Sequence, residues 1–313
     1  DDTRDANNAN PMPQTGSVTV FKRDAQGQWN FHQKLIAPVR INSAYFGRSV
    51  TIDNDRIGVG AFLESTNTTS QGAAYTYVLV NDTWQFEQKI TPSDPDAQAK
   101  FGNSIDIYDS LMVVGAYGHR YDSAGANQMF EAGAAYFYQW VDTAWVEMNK
   151  VSAMLRLNGH RFGWDVAIHE GHALIGAPFD AYDENGLNPG INTGAVFHFI
   201  RNENDSNWYE NEKVVGSPRG GKFGLSVSLN DSFALIGSPE MSTDTFIGNG
   251  FATVFKINGF DSLINHQIIQ APVQLDNDNF GFDVDLFGDL AVVGVPNEDH
   301  DIFEQNPWAS SGS

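Results

Sequence analysis

The chain contains no cysteine, which excludes a disulfide framework and a thiolate metal site. It contains no uninterrupted apolar run of about 18 residues, the length a helix needs to cross a bilayer, so membrane insertion is not expected. Basic side chains are scarce. Lys and Arg number 18 against 39 Asp and Glu, and the formal charge is −21. A field of that sign repels nucleic acid and anionic membrane surfaces, so neither is expected as a partner, whereas cations and neutral sugar surfaces are easier. No signal peptide is visible at Asp1, as expected if a leader were removed or the start cut away. Helical periodicity is nearly absent. At 313 residues the chain is long for a single core, since compact cores stop growing near about 250–300 residues. An array in which each unit covers only its neighbours escapes that limit.

What is present is a repeat. Five Phe-Gly pairs, at Phe46, Phe101, Phe162, Phe223 and Phe280, are each followed by a Gly-Ala-Pro-like triplet starting at Gly60, Gly115, Gly176, Gly237 and Gly294. A period of about 60 residues means one supersecondary unit stacked on copies of itself. In the second unit FGNSIDIY alternates, LMVVGA is a continuous apolar run, GAAYFYQW alternates again, and AWVEMNKV follows a polar turn. Period-two alternation bounded by Gly, Asn and Asp predicts antiparallel strands, and the continuous run a strand buried on both faces. The third strands begin at Gly16, Gly72, Gly133, Gly194 and Gly250, and the fourth carry Trp29, Trp84, Trp145 and Trp208; the last unit has LINHQII instead.

Four strands per unit repeated radially predict an all-β protein, a β-propeller of four-stranded antiparallel blades. The expected division within one domain, 1–313, is a half blade at 16–36, blades at 46–90, 101–151, 162–215 and 223–270, and a half blade at 280–296. Each Phe is expected to fill the space between blades, and each following Gly to permit close backbone approach. Residues 1–15 and 297–311 both read as the loop that follows a Gly-Ala-Pro triplet. Two readings follow: the halves pair to close a five-bladed ring, hiding both edges, or the chain is an internal piece of a larger ring.

The five FG…GAP units, with the third-strand pattern and the Trp, resemble the FG-GAP repeat family of the seven-bladed integrin α-subunit head and of bacterial secreted and surface proteins. The resemblance spans about Gly16 to Pro296. It implies an extracellular or cell-surface location, a first strand nearest the axis, and a ligand face shared by the loops joining strands two to three and four to one. Many members carry a calcium loop between strands one and two. Here DNDR (from Asp53), YDS (from Tyr108), HEGH (from His169), NDS (from Asn230) and FGD (from Phe287) stand there. Calcium needs about six to eight oxygen ligands, so no calcium is expected at those turns and no cofactor is certain.

The loops 62–71, 117–132, 179–193, 240–249 and 297–311 differ from one another, and variable loops on a rigid scaffold are where function usually sits. Their aromatic residues Tyr117, Tyr121, Phe179, Tyr182 and Trp308 suit a sugar ring or another ligand, offering apolar faces beside polar groups. Asp180, Asp183, Glu184, Glu298, Asp299 and Asp301 are the candidate ligands for calcium or another hard cation, against the alternative of solvated acidic loops. His169-Glu170-Gly171-His172 falls in a hairpin turn, where both histidines are expected simply to face water; His119 and His300 are better placed as ligands. Ser49, Ser104 and Ser226 recur at one repeat position, which marks them as structural rather than nucleophilic.

Three functions are consistent with these residues. The first is an extracellular binding or adhesion module presenting variable loops on one propeller face to a protein or glycan. The second is a polysaccharide-acting lyase or hydrolase at the ring mouth, with Asp180, Asp183 and Tyr182 as candidates, although no carboxylate pair is brought together by spacing. The third is a spacer in a larger surface protein or filament, partnered by flanking domains of a longer chain. The absence of a catalytic constellation places binding ahead of catalysis.

Overall fold

The computed structural model describes residues 12–187, 189–190, 193–216, 220–258 and 262–298. The first sheet has two strands, β1 (Val18–Arg23) and β2 (Trp29–Leu35). A four-stranded antiparallel sheet follows, built of β3 (Val50–Asp53), β4 (Arg56–Ala61), β5 (Ala73–Val80) and β6 (Thr83–Ile90). The second such sheet holds β7 (Ile105–Tyr108), β8 (Leu111–Ala116), β9 (Ala134–Val141) and β10 (Ala144–Val151). The third holds β11 (Val166–His169), β12 (His172–Ala177), β13 (Ala195–Arg201) and β14 (Trp208–Val215). The fourth holds β15 (Val227–Leu229), β16 (Phe233–Ser238), β17 (Phe251–Ile257) and β18 (Leu263–Ile269). The last sheet again has two strands, β19 (Val284–Phe287) and β20 (Leu290–Val293). No helix occurs among the described residues. These meandering sheets are the blades of a β-propeller, as the repeat predicts. Among the described residues no ladder joins β20 to β1, so the two half-blades remain separate sheets.

The second strands of the complete blades are buried on both faces, as their uninterrupted apolar sequence requires. The repeat Phe lies between blades. Phe162 packs edge-on against Phe197 and Phe199 of its own blade and shares one core with Ala135, Phe137 and Val151 of the preceding one. Gly133 shows why glycine recurs at the start of each third strand. Its φ is +91°, it bridges Phe162 in parallel, and an added Cβ would lie 2.0 Å from the Phe162 carbonyl oxygen. Only a residue without a side chain permits both the left-handed backbone and that approach.

Polar side chains also join blade to blade. The Gln33 amide donates to the Trp84 carbonyl oxygen and accepts from the Trp84 N–H, both at 2.8 Å. Gln88 does the same at Trp145, and Asn149 at Trp208. Each amide stands four residues after its own blade's Trp and grips the next blade's fourth strand. One side chain thereby satisfies a donor and an acceptor that the sheet edge leaves open.

Candidate ligand site

The first strands β3, β7, β11, β15 and β19 line one cavity of about 940 Å³. Alternation along them separates two kinds of contact. Ile105 and Ile107 face the preceding blade, where their methyl groups crowd the missing side chain of Gly58. The intervening polar residues bond to the following blade. Thr51 Oγ1 donates to Asp106 Oδ1 at 2.8 Å, Ser104 Oγ to Asp165 Oδ1 at 2.7 Å, Ser226 Oγ to Asp283 Oδ1 and Ser228 Oγ to Asp285 Oδ1, both at 3.1 Å. The recurring serines are therefore stitches between neighbouring blades. Asp106 also accepts from the Ile107 and Ile168 N–H groups, and Asp165 from Val227 N–H. Burial nonetheless outweighs those bonds and pushes the Asp106 carboxyl up to about 6 and the Asp165 carboxyl upward.

The mouth of this cavity lies where the Phe-Gly pairs enter the first strands. The loops joining strands two and three and the linkers joining four and one meet there. Gln98 N–H donates to Thr69 O, Gly118 N–H to Ala99 O, Gly159 N–H to Phe130 O and Glu240 N–H to Gly221 O. The residue before each Phe enters the turn with a left-handed backbone: Tyr45 at φ 55°, Lys100 at 58°, Arg161 at 56°, Lys222 at 58° and Asn279 at 61°. Side chains from three consecutive blades then interleave. Lys100 Nζ lies 4.6 Å from the Tyr117 ring centre, and the Arg161 guanidinium lies 5.8 Å from Tyr117, 5.5 Å from Trp164 and 4.6 Å from Phe179. Lys222 Nζ lies 5.3 Å from Phe179. The rings touch as well, with Tyr117 to Trp164 at 4.8 Å and Trp164 to Phe179 at 5.9 Å. Glu131 accepts from Lys100 at 3.2 Å and Arg161 at 2.9 Å, and Glu240 accepts from Lys222.

Of the aromatic candidates, Tyr117 and Phe179 thus meet through Trp164. Tyr121 instead packs edge-on against His119, and Tyr182 against His160. Trp308, Asp299, Asp301 and His300 lie outside the described residues.

The acidic candidates sit in separate surroundings. Asp180 is buried; its Oδ1 accepts from Lys213 Nζ and from the Tyr182 N–H, both at 2.8 Å, and Oδ2 lies 3.4 Å from His160 Nδ1. Burial raises its pKa, but the bonds from His160 and Lys213 prevail and hold it below the usual carboxylate range. Asp183 is also buried, and its Oδ1 accepts the N–H groups of Asn185 and Leu187, closing its own loop. Glu184 is exposed and Glu298 buried. Among the described residues no three His, Asp or Glu side chains are grouped as a metal centre would need. The Asp180–Lys213 pair belongs to a repeat device: Lys89 meets Glu64 and Lys150 meets Asp94 from the same place on the fourth strand.

Two histidine expectations need correction. His119 is fully buried between Asp94 and the backbone of Tyr121 rather than presented to a ligand. His172 does not simply face water: its Nδ1 shares a hydrogen bond of 3.0 Å with Nε2 of buried His198, whose Nδ1 lies 3.4 Å from Glu212. Its turn neighbour His169 packs at a tilt against Tyr108, with ring centres 4.2 Å apart. The hairpin turn is short, but its two ends lie against neighbouring strands and blades.

The cations at the mouth were missed. Their signal is the column before the Phe-Gly pairs, basic in three consecutive repeats, whereas attention to the loops alone passes over it.

No curated protein matches the chain. The model of the FG-GAP repeat matches residues 29–77, 84–138 and 145–199. The three successive matches, each running from the fourth strand of one blade into the third strand of the next, cover just over half of the sequence, and the chain belongs to the FG-GAP repeat family.

Proposed function

We propose that this protein is an extracellular binding module that receives a protein or glycan ligand on the propeller face at the cavity mouth. The observation that carries this reading is the convergence of rings and cations from three blades where the loops between second and third strands meet the linkers into the first. A concave surface with apolar faces and a few placed polar groups is the ordinary recipe for a ligand site. FG-GAP repeats occur typically in extracellular and surface proteins, and no helix among the described residues is long and apolar enough to cross a membrane.

Binding is favoured over catalysis by what the carboxylates do. Asp106, Asp165, Asp283 and Asp285 each accept from the neighbouring blade, and Asp180 is held by Lys213. Each therefore commits at least one oxygen to holding the fold. A glycan array and a pull-down with purified candidate surface proteins, run on folded protein and on Trp164→Ser, test the reading. Retention by the parent and loss in Trp164→Ser are expected. Folded protein that stays blank in both assays would overturn it, and release of reducing ends or unsaturated product from polysaccharide would replace it with an enzyme.

A further inference from the structure

The residue that precedes each Phe-Gly pair adopts a left-handed backbone in all five repeats. For a residue with a full side chain that conformation costs about 1–2 kcal/mol relative to the right-handed one. Asn pays least among non-glycine residues, because its short side chain bonds locally. The fifth repeat uses Asn279, which satisfies the fold's requirement at this turn. The second, third and fourth repeats instead use Lys100, Arg161 and Lys222. The turn accounts for the backbone and leaves the side chains unexplained. Strained positions of this kind gather at ligand-binding sites.

The three cations are also local exceptions to the charge of the molecule, which is −21 overall. They alternate with Tyr117, Trp164 and Phe179 in one ribbon across three blades. Against them stand two carboxylates, Glu131 and Glu240, so the ribbon keeps positive charge. Glu131 is pushed up by burial but more strongly down by Lys100 and Arg161, so it stays ionised and orients both. Trp164 and Phe179 are half-buried and, with Lys222, border the cavity. Deeper in, the wall is acidic, at Asp106, Asp165, Asp283 and Asp285.

We propose that this ribbon is a site for an acidic saccharide, a short oligosaccharide bearing a carboxylate or sulfate, with the anion on Arg161 and its flanking lysines and a sugar face against Trp164 and Phe179. The proposal rests on the binding reading above and narrows it to one ligand class. An arginine fork pairs with an oxyanion through two parallel N–H bonds, and the ring faces supply the apolar complement of a sugar. The acidic wall below turns the anion back at the mouth. The global charge repels long polyanions, which favours a short ligand with few charges over an extended one.

The test is calorimetric titration with short oligouronides, short sulfated oligosaccharides and neutral oligosaccharides of matched length. The variants are Arg161→Gln and Lys222→Asn, the latter installing the residue that the fifth repeat already tolerates; unchanged melting shows that each is folded. Binding of an acidic series, weak or absent binding of the neutral one, and weakening of about tenfold or more in each variant are expected, the usual worth of a hydrogen bond to a charged group. The two acidic series separate carboxylate from sulfate. Equal binding of neutral sugars overturns the ligand class while leaving the binding module standing. Undiminished acidic-sugar binding in both variants overturns the location. If no sugar binds but a purified protein ligand is lost on Trp164→Ser, the saccharide proposal falls and the module survives.

Discussion

Repeat-equivalent residues fare very differently in the interior of the array and at its two open ends. Trp208 is 1% exposed, whereas Trp29, at the same place on β2, is 69% exposed. Ile105 on β7 is 5% exposed, and its counterpart Val50 on β3 is 56% exposed. Val113 on β8 has no exposed surface, while its counterpart Val292 on β20 is 69% exposed. The place in the repeat is unchanged in each pair, and two of the three pairs share the residue type as well. What differs is the neighbour, since β3 has no first strand before it and β20 has no third strand beside it among the described residues. In a stacked repeat, burial and its free energy belong to the interface between units.

That contrast can be broken by mutation. Trp208→Ala should cost about 3–5 kcal/mol, the usual range for a buried aromatic, and Trp29→Ala below about 1 kcal/mol, as for an exposed site. Parallel denaturant melts measure both. Equal losses would mean that the open edge is covered in solution and that the two regions do not differ.

A smaller effect is expected where charge ties a loop to the fourth strand of its own blade. Lys213→Met removes the partner of buried Asp180 and should cost about 3 kcal/mol, because an uncompensated buried carboxylate remains. Replacing Asp180 by Asn in the same chain should restore most of that loss. A double variant no better than the single one would show that Lys213 acts by packing alone.

The smallest effect distinguishes one complete blade from another. His198 sits where the preceding blade has Phe137, and burial, then the charge of His172, holds its pKa down at about 3. The unfolded chain takes up a proton near the ordinary value of 6.5, so folding excludes that proton. Stability from this group is complete above pH 6.5 and falls by about 1.4 kcal/mol per pH unit as pH drops toward 3. His198→Phe should flatten that slope in melts between pH 6.5 and 4.5. An unchanged slope would assign the acid sensitivity elsewhere.

Much of the fold was legible because it repeats. The Phe at 101, 162 and 223, the glycine at 133 and the apolar run at 111 each serve one purpose in every unit, and repetition exposes that purpose in one sequence. The site was legible only in part. Tyr117 and Phe179 stand out as aromatics in variable loops, yet Trp164, which joins them, lies in the bend between the Phe-Gly pair and β11, where the repeat pattern suggests nothing more than the approach to a strand. Asp180 looked like a cation ligand because acidic residues cluster near it. Its partner Lys213 lies on a different element, and no local pattern links the two.

The sequence alone determined the all-β blades, their order and the residues that wedge between them, because period-two alternation and a fixed repeat are local properties that each unit carries within itself. Tertiary structure decided which of those residues are actually covered, which carboxylates are neutralised, and that Lys100, Arg161 and Lys222 converge on three rings. Those outcomes depend on distances between side chains on different elements, such as Lys100 and Glu131 or Lys213 and Asp180, set by how the loops fold back and how one blade packs on the next.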